Sequence, residues 1–336
     1  MEIFGNFSAR LATYVSGKLC QRESICEHQH QKRNIMNKIL LILVIVLMVF
    51  SCQQAKKENI DNKEIKIEKK YQAKAPPTQS FAAEAFKESD STTLRWLGMA
   101  GFFINSRGTT LMIDPLLGGF DMPIMIEFPI KTSEVPHLDA VLITHSDNDH
   151  YSVPTCLELK AVTNEYHSTV YVDSLMKNQG LPSFGHNIGN SFNIGELKVT
   201  LTPVDHAWQN ENPEFAEGRH WEQEDATGFW IETPDGTIWA TGDSRLMPEH
   251  LTMPTPDAIL FDFSDSEWHF TLEGAVKLAN AHPNSKLLLH HWGSVDAPDF
   301  PPFNADPEEL KKLIDNPERI VLLAPGESFT LTKINK

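Results

Sequence analysis

The chain has 336 residues, 41% of them hydrophobic, with 29 lysines and arginines against 45 aspartates and glutamates and a formal net charge of -16. That apolar content over this length can build a large core, which excludes wholesale disorder and collagen-like or coiled-coil chains. The acidic balance argues against nucleic acid as a partner, because a phosphate backbone needs clustered Lys and Arg. Cys20, Cys26, Cys52 and Cys156 are too few for a disulfide scaffold.

In chain order, residues 39–50 form an unbroken apolar run, shorter than the roughly 20 residues of a bilayer-spanning helix but the right length for the core of an export signal. Met36, Asn37 and Lys38 give it a short basic start. The run closes on Val49, Phe50, Ser51 and Cys52, which resembles a bacterial lipobox and implies cleavage before Cys52 with lipid on its thiol. Residues 36–51 are therefore expected to be a lipoprotein signal peptide. Residues 1–35 read as an upstream extension that a start at Met36 would omit, and Cys20, Cys26, His28 and His30 within it lack the spacing of a zinc finger. Residues 52–91 are rich in Lys, Glu, Asn and Gln and read as a tether. The folded domain is expected over 92–336.

From there, β-branched and aromatic runs predict strands at 93–97, 101–105, 110–113, 140–144, 169–172, 197–203, 228–232, 237–241, 258–261, 286–290, 320–323 and 328–332. Helices are expected at 153–159, 173–179, 271–281 and 307–314, the last with Pro307 in its first turn. Many strands in two successive groups with occasional helices predict an α/β chain of two packed sheets with helices outside.

The chemistry is densest at 140–150, AVLITHSDNDH. After an apolar strand, His145, Asp147, Asp149 and His150 place four potential metal ligands within six residues. Such groups at a strand end are costly to bury unpaired, and a divalent cation satisfies them together.

This segment resembles the H-x-H-x-D-H signature of the metallo-β-lactamase superfamily, with Asp147 standing where the second His is usual. His206 in LTPVDHAW, Asp243 in IWATGDS and His291 in LLLHHWG then follow in the family's order, each after an apolar strand. The resemblance implies a four-layer αββα metallo-β-lactamase sandwich and a two-metal centre at one edge between the sheets. His145, Asp147 and His206 would hold one ion, Asp149, His150 and His291 the other, and Asp243 would bridge them. His290 competes with His291. The His-Trp-Gly that contains His291 is similar to the closing motif of N-acyl-phosphatidylethanolamine phospholipase D and ascorbate-6-phosphate lactonase, which favours His291.

Asp147 in place of His makes the centre neutral rather than singly positive once both ions and a bridging hydroxide are counted. It also makes the donor set harder, so that manganese or iron becomes acceptable beside zinc. Asp149 and Asp243 are implied catalytic groups as well as ligands. His269, just before the helix expected at 271, is a candidate for orienting substrate or donating a proton, with helix capping or packing as the alternative. Asp114 matches a structural Asp of the family, and Arg245 reads as an ion-pair residue. The long stretch 207–226, directly after His206, has the length of a lid or binding loop. The apolar but irregular 116–136 reads either as a rim for lipid-like substrates or as cover for the sheet edge.

These features predict a metal-dependent hydrolase that uses a metal-bridging hydroxide on a phosphodiester, lactone or related ester or amide. The substrate would be a small molecule or lipid-derived, and the enzyme would be anchored in the bacterial cell envelope through lipid on Cys52. The alternative from another class is a non-catalytic metal-binding envelope lipoprotein. Oligomeric state has no sequence signal.

Overall fold

The computed structural model describes residues 71–215 and 217–334. Met1–Glu68 and Lys69–Lys336 separate into two units, and every described residue lies in the second. The segments expected to be a signal peptide and most of a tether, with Cys52 and the histidines and cysteines upstream, therefore lie outside the described residues. Among the described residues, no helix is long and apolar enough to cross a membrane.

The first sheet contains β1 (Thr92–Gly98), β2 (Gly101–Ser106), β3 (Thr109–Ile113), β4 (Ala140–Leu142), β5 (Tyr166–Thr169) and β6 (Ser183–His186), with β14 (Ser328–Thr330) beside β1. The second runs in order from β7 (Ser191–Ile194) through β8 (Leu197–Thr202), β9 (Gly228–Thr233), β10 (Gly236–Ala240), β11 (Ala258–Asp262) and β12 (Lys286–His290) to β13 (Ile320–Val321). Both sheets are mixed. Antiparallel hairpins lie on one side of each, and parallel pairs on the other are joined by α1 (Val153–Leu159), α2 (Val170–Asn178) and α3 (Thr271–Ala281), with α4 (Pro307–Leu313) after β12.

Three apolar layers explain the packing. Strand side chains alternate between faces, so Phe102 and Ile104 of β2 meet Phe229, Ile238 and Leu260 between the sheets. Phe103 and Met112 face the other way, onto Cys156 and Leu159 of α1 and Val172 and Met176 of α2. Ile259, Phe261 and Leu287 likewise carry Ala275 and Leu278 of α3 and Leu310 of α4. The result is the expected αββα sandwich. Strands covered on both faces read as nearly continuous apolar runs, which is why most were visible in the sequence.

Four expectations need correction. The strand expected at 169–172 ends at Thr169, whose hydroxyl accepts the Val172 N–H at 3.3 Å and caps α2, so the helix starts three residues before Asp173. β6 and β7 were not expected; both are four residues long, mix polar with apolar residues and are partly exposed. β4 stops at Leu142, and 143–150 becomes the loop that carries the motif. Finally, 71–91 is packed against the domain rather than serving as a tether. The Gln72 amide donates to the carbonyls of Val295 and Phe303 and accepts from Ala297, and Phe81 stacks on Phe103.

Candidate metal centre

The chain delivers its polar groups at the C-terminal ends of five strands. β4 leads to His145, Asp147, Asp149 and His150, β8 to His206, β10 to Asp243, β11 ends on Asp262 and β12 leads to His291. All seven residues singled out as ligands converge there.

Their orientation follows from what each imidazole does with Nδ1. His150 Nδ1 lies 2.8 Å from the Asp114 carboxylate, and His291 Nδ1 lies 3.1 Å from Asp262. His206 Nδ1 donates to the Trp268 carbonyl at 2.9 Å. The Thr144 hydroxyl donates to Asp114, leaving its lone pairs for His145 Nδ1 at 3.0 Å. Each partner is an acceptor, so the proton sits on Nδ1 and all four Nε2 atoms are turned inward as ligands would be.

The inward atoms form two halves. In one, Asp147 Oδ2 is 3.4 Å from Nε2 of both His145 and His206. In the other, Asp149 Oδ2 is 3.5 Å from Nε2 of both His150 and His291, and those two nitrogens are 3.2 Å apart. Asp243 Oδ2 reaches both, at 3.1 Å from His150, 3.9 Å from His206 and 4.0 Å from His145.

A cation fits this arrangement. His145 Nε2 and Asp243 Oδ1 are buried without a hydrogen-bond partner, which is costly unless something else satisfies them. The donor atoms of His145, His206 and Asp243 lie within 4.8 Å of one another, as do those of Asp149, His150 and His291. The site can therefore hold one or two metal ions. Burial alone would raise the Asp243 carboxyl, but the facing His150, His291 and His269 rings pull it well below the usual range. Burial would lower His291, yet Asp243, Asp149 and Asp262 push it up to about 10. Protons thus compete with cations for these nitrogens.

Backbone geometry marks the same residues. Asp114 and His291 both have positive φ, at 44° and 68°, a conformation that costs a residue with a side chain about 1–3 kcal/mol. The His291 N–H is anchored on the Met99 carbonyl at 3.0 Å. His290 belongs to none of these donor groups; its ring is nearly perpendicular to that of Phe102, and burial drives its pKa down to about 3.

Asp262 was missed. It accepts Nδ1 of His269 at 2.9 Å as well as that of His291, so one buried carboxylate aligns a metal-facing ring and the ring expected to meet substrate. An acid closing the apolar run AILFD was the available signal. Arg245 makes the expected ion pair, a two-pronged contact with Asp205 at 2.9 and 3.1 Å, and stacks over Trp268. The apolar side chains of 116–136 cover the neighbouring core, as one of the two expectations had it. Ile126 and Phe128 pack on Met99, Leu116 and Val295, while Phe120 and Met122 also reach the cavity above the centre.

That cavity has a volume of about 860 Å³. Asp147, Asp149, His206, Asp243 and His269 form its floor, and Trp208, Phe215, Trp221, Trp268, Phe300 and Phe303 form much of its wall. Asp121, Asp265 and Glu267 also line it, and none of its lining residues is a lysine or arginine.

A family model described as a beta-lactamase superfamily domain matches residues 109–292. A metal-dependent hydrolase from Staphylothermus marinus is 28% identical over 252 residues, covering 70% of this chain and 98% of the relative. Among solved structures, the metallo hydrolase Igni18 from Ignicoccus hospitalis aligns with a TM-score of 0.57 at 19% identity, over 73% of this chain and 100% of that one. An isothiocyanate hydrolase from Delia radicum gut bacteria aligns with a TM-score of 0.57 at 18% identity, over 71% and 99%. With the matched segment running from β3 to the residue after His291, the chain belongs to the beta-lactamase superfamily and is a hydrolase of the metallo-β-lactamase fold.

Proposed function

We propose that the domain is a two-metal hydrolase of uncharged esters, lactones or amides that carry a bulky apolar group. The observation that supports this choice is the cavity: a wall of aromatic rings, several carboxylates and no lining cation. A phosphodiester or other anionic substrate needs Lys or Arg to offset the acidic wall. The two arginines nearest the wall are already committed. Arg219 pairs with Asp225 at 2.7 Å and stacks on Tyr171 and Trp221, and Arg245 pairs with Asp205 behind Trp268. A cavity of this size suits a small molecule held mainly by apolar contact. Within the branch suggested by His-Trp-Gly, this reading favours lactonase-like over phospholipase-like chemistry.

His145, Asp147 and His206 would hold one ion and Asp149, His150 and His291 the other, with Asp243 shared. Divalent ions, zinc with manganese or iron acceptable, supply Lewis acidity and bring the pKa of water toward neutrality. The chain's own contribution is to orient the groups and to surround the substrate with apolar surface. Trp268 and Phe303 line the cavity with apolar surface, and Asp262 holds His269 by Nδ1, leaving Nε2 to orient the scissile group or pass a proton to the leaving group.

The test compares neutral p-nitrophenyl hexanoate with its anionic analogue, the p-nitrophenyl half-ester of adipic acid, and with bis(p-nitrophenyl) phosphate. The neutral ester is expected to have the higher kcat/KM by about tenfold or more over its anionic analogue. A preference for the anion, or a phosphodiester turned over faster than both, contradicts the reading.

The apolar run 39–50 and Cys52 support a lipid-anchored location in the cell envelope. Fatty-acid labelling should disappear in Cys52→Ala, and retained label would refute the anchor.

A further inference from the structure

Asp147 is surrounded by more than the metal-facing histidines. Its Oδ2 accepts the indole N–H of Trp208 at 2.7 Å, and its Oδ1 accepts the side-chain amide of Gln209 at 3.1 Å. Both donors open the stretch 207–226. Trp208 meets Phe215 edge-on with ring centroids 5.4 Å apart. The next residue, Asn210, holds Trp221 by its backbone, accepting the Trp221 N–H at 2.9 Å and donating to the Trp221 carbonyl at 2.8 Å. Asp147 is therefore linked through Trp208, Gln209 and Asn210 to three aromatic rings of the cavity wall.

An imidazole cannot replace this carboxylate. With Nε2 turned to the centre, its Nδ1 carries the proton and presents a donor to the indole, which is donor only. Gln209 could reverse its amide, but Trp208 could not adapt. The departure from the H-x-H-x-D-H pattern thus has a hydrogen-bonding reason: a carboxylate has enough lone pairs to face a cation and two loop donors at once.

We propose that Asp147 is a positioning residue that couples cation binding at His145 and His206 to the placement of Trp208, Phe215 and Trp221 in the cavity wall. The proposal rests on the two-metal reading and adds a regulation of substrate access to it. A cation beside Asp147 fixes the carboxylate for Trp208 and Gln209, and those two donors in turn fix the carboxylate for the cation. The two effects are one coupling free energy, so they are equal in size.

The experiment is backbone hydrogen exchange of metal-stripped protein with and without Zn²⁺, alongside zinc affinity by chelator competition. In the wild type, zinc should slow exchange across 207–226 by about tenfold or more, in line with the effect of outer partners on metal sites. In Asp147→His, zinc should still bind while this slowing disappears. Trp208→Phe keeps an aromatic ring and removes only the donor, and it serves equally if the histidine variant does not fold. It should weaken zinc binding by roughly the factor by which it reduces the slowing. Zinc bound in the wild type with exchange across 207–226 unchanged overturns the coupling alone, as does undiminished slowing in Trp208→Phe. A wild-type protein that takes up no zinc, manganese or iron overturns the coupling together with the two-metal reading.

Discussion

The two halves of the centre are built differently. His150 and His291 are enclosed, with exposures of 0% and 1%, and their Nδ1 atoms rest on the buried carboxylates Asp114 and Asp262 at the ends of β3 and β11. His145 and His206 rest instead on a hydroxyl and a loop carbonyl, and their carboxylate, Asp147, is 21% exposed and tied to another loop. Carboxylates raise the basicity of a ligand imidazole more than neutral acceptors do, and strand ends move less than loops. The first half is thus prepared before a cation arrives, whereas the second depends on how 207–226 is placed. A tight ion and an exchangeable one are expected within the same centre.

The largest effect should come from removing what the halves share. Asp243→Ala deletes the carboxylate that, among the described residues, reaches both halves, and activity should fall by well over the roughly 100-fold typical of losing an outer partner. One or both ions should go with it, as read by elemental analysis and kcat/KM. A variant that keeps both ions and most of its activity would show that the halves are independent.

Next in size is Asp262→Asn. It leaves the rim of the cavity intact but weakens the hold on His291 and His269, and should lower affinity for the tight ion by about 10–100-fold while sparing the exchangeable one. Chelator competition resolves the two affinities. Equal weakening of both would mean that the two halves are held alike.

The smallest effect sharpens the contrast from outside the centre. His167 is held differently: its Nε2 lies 3.4 Å from the half-exposed Glu165 carboxylate, its ring stacks on Phe192 and its Nδ1 faces His186 at 3.0 Å, and burial together with His186 outweighs the pull of Asp173 and lowers its pKa to about 4. The unfolded chain takes up a proton near pH 6.5 and the folded one only near pH 4. This residue's contribution is therefore fully present above pH 6.5 and is lost as pH falls to about 4, by about 1–2 kcal/mol after allowance for partial exposure. His167→Phe should flatten that part of the stability profile, measured as Tm against pH. An unchanged slope would mean that other groups carry the acid sensitivity.

The seven converging groups were legible in the sequence because they lie shortly after apolar strands. It missed Asp262 because an acid ending a strand looks like any turn residue until His269 and His291 are seen on either side of it. The role of Asp147 was legible only as a departure from a pattern. Its partners Trp208 and Gln209 lie 61 and 62 residues away, and no local spacing pairs them. β6 and β7 escaped for a different reason: SFGH and SFNI are edge strands whose pairing, rather than composition, makes them strands. Residues 71–91 carry a composition suited to a linker, and their attachment depends on single contacts such as Gln72 on the Val295 carbonyl.

The most direct test of the central claim is the metal content of the purified protein after reconstitution with zinc, manganese and iron in turn. About two equivalents per chain are expected, one of them removed by a weak chelator and the other retained. Less than about half an equivalent in total, with every metal, would contradict it.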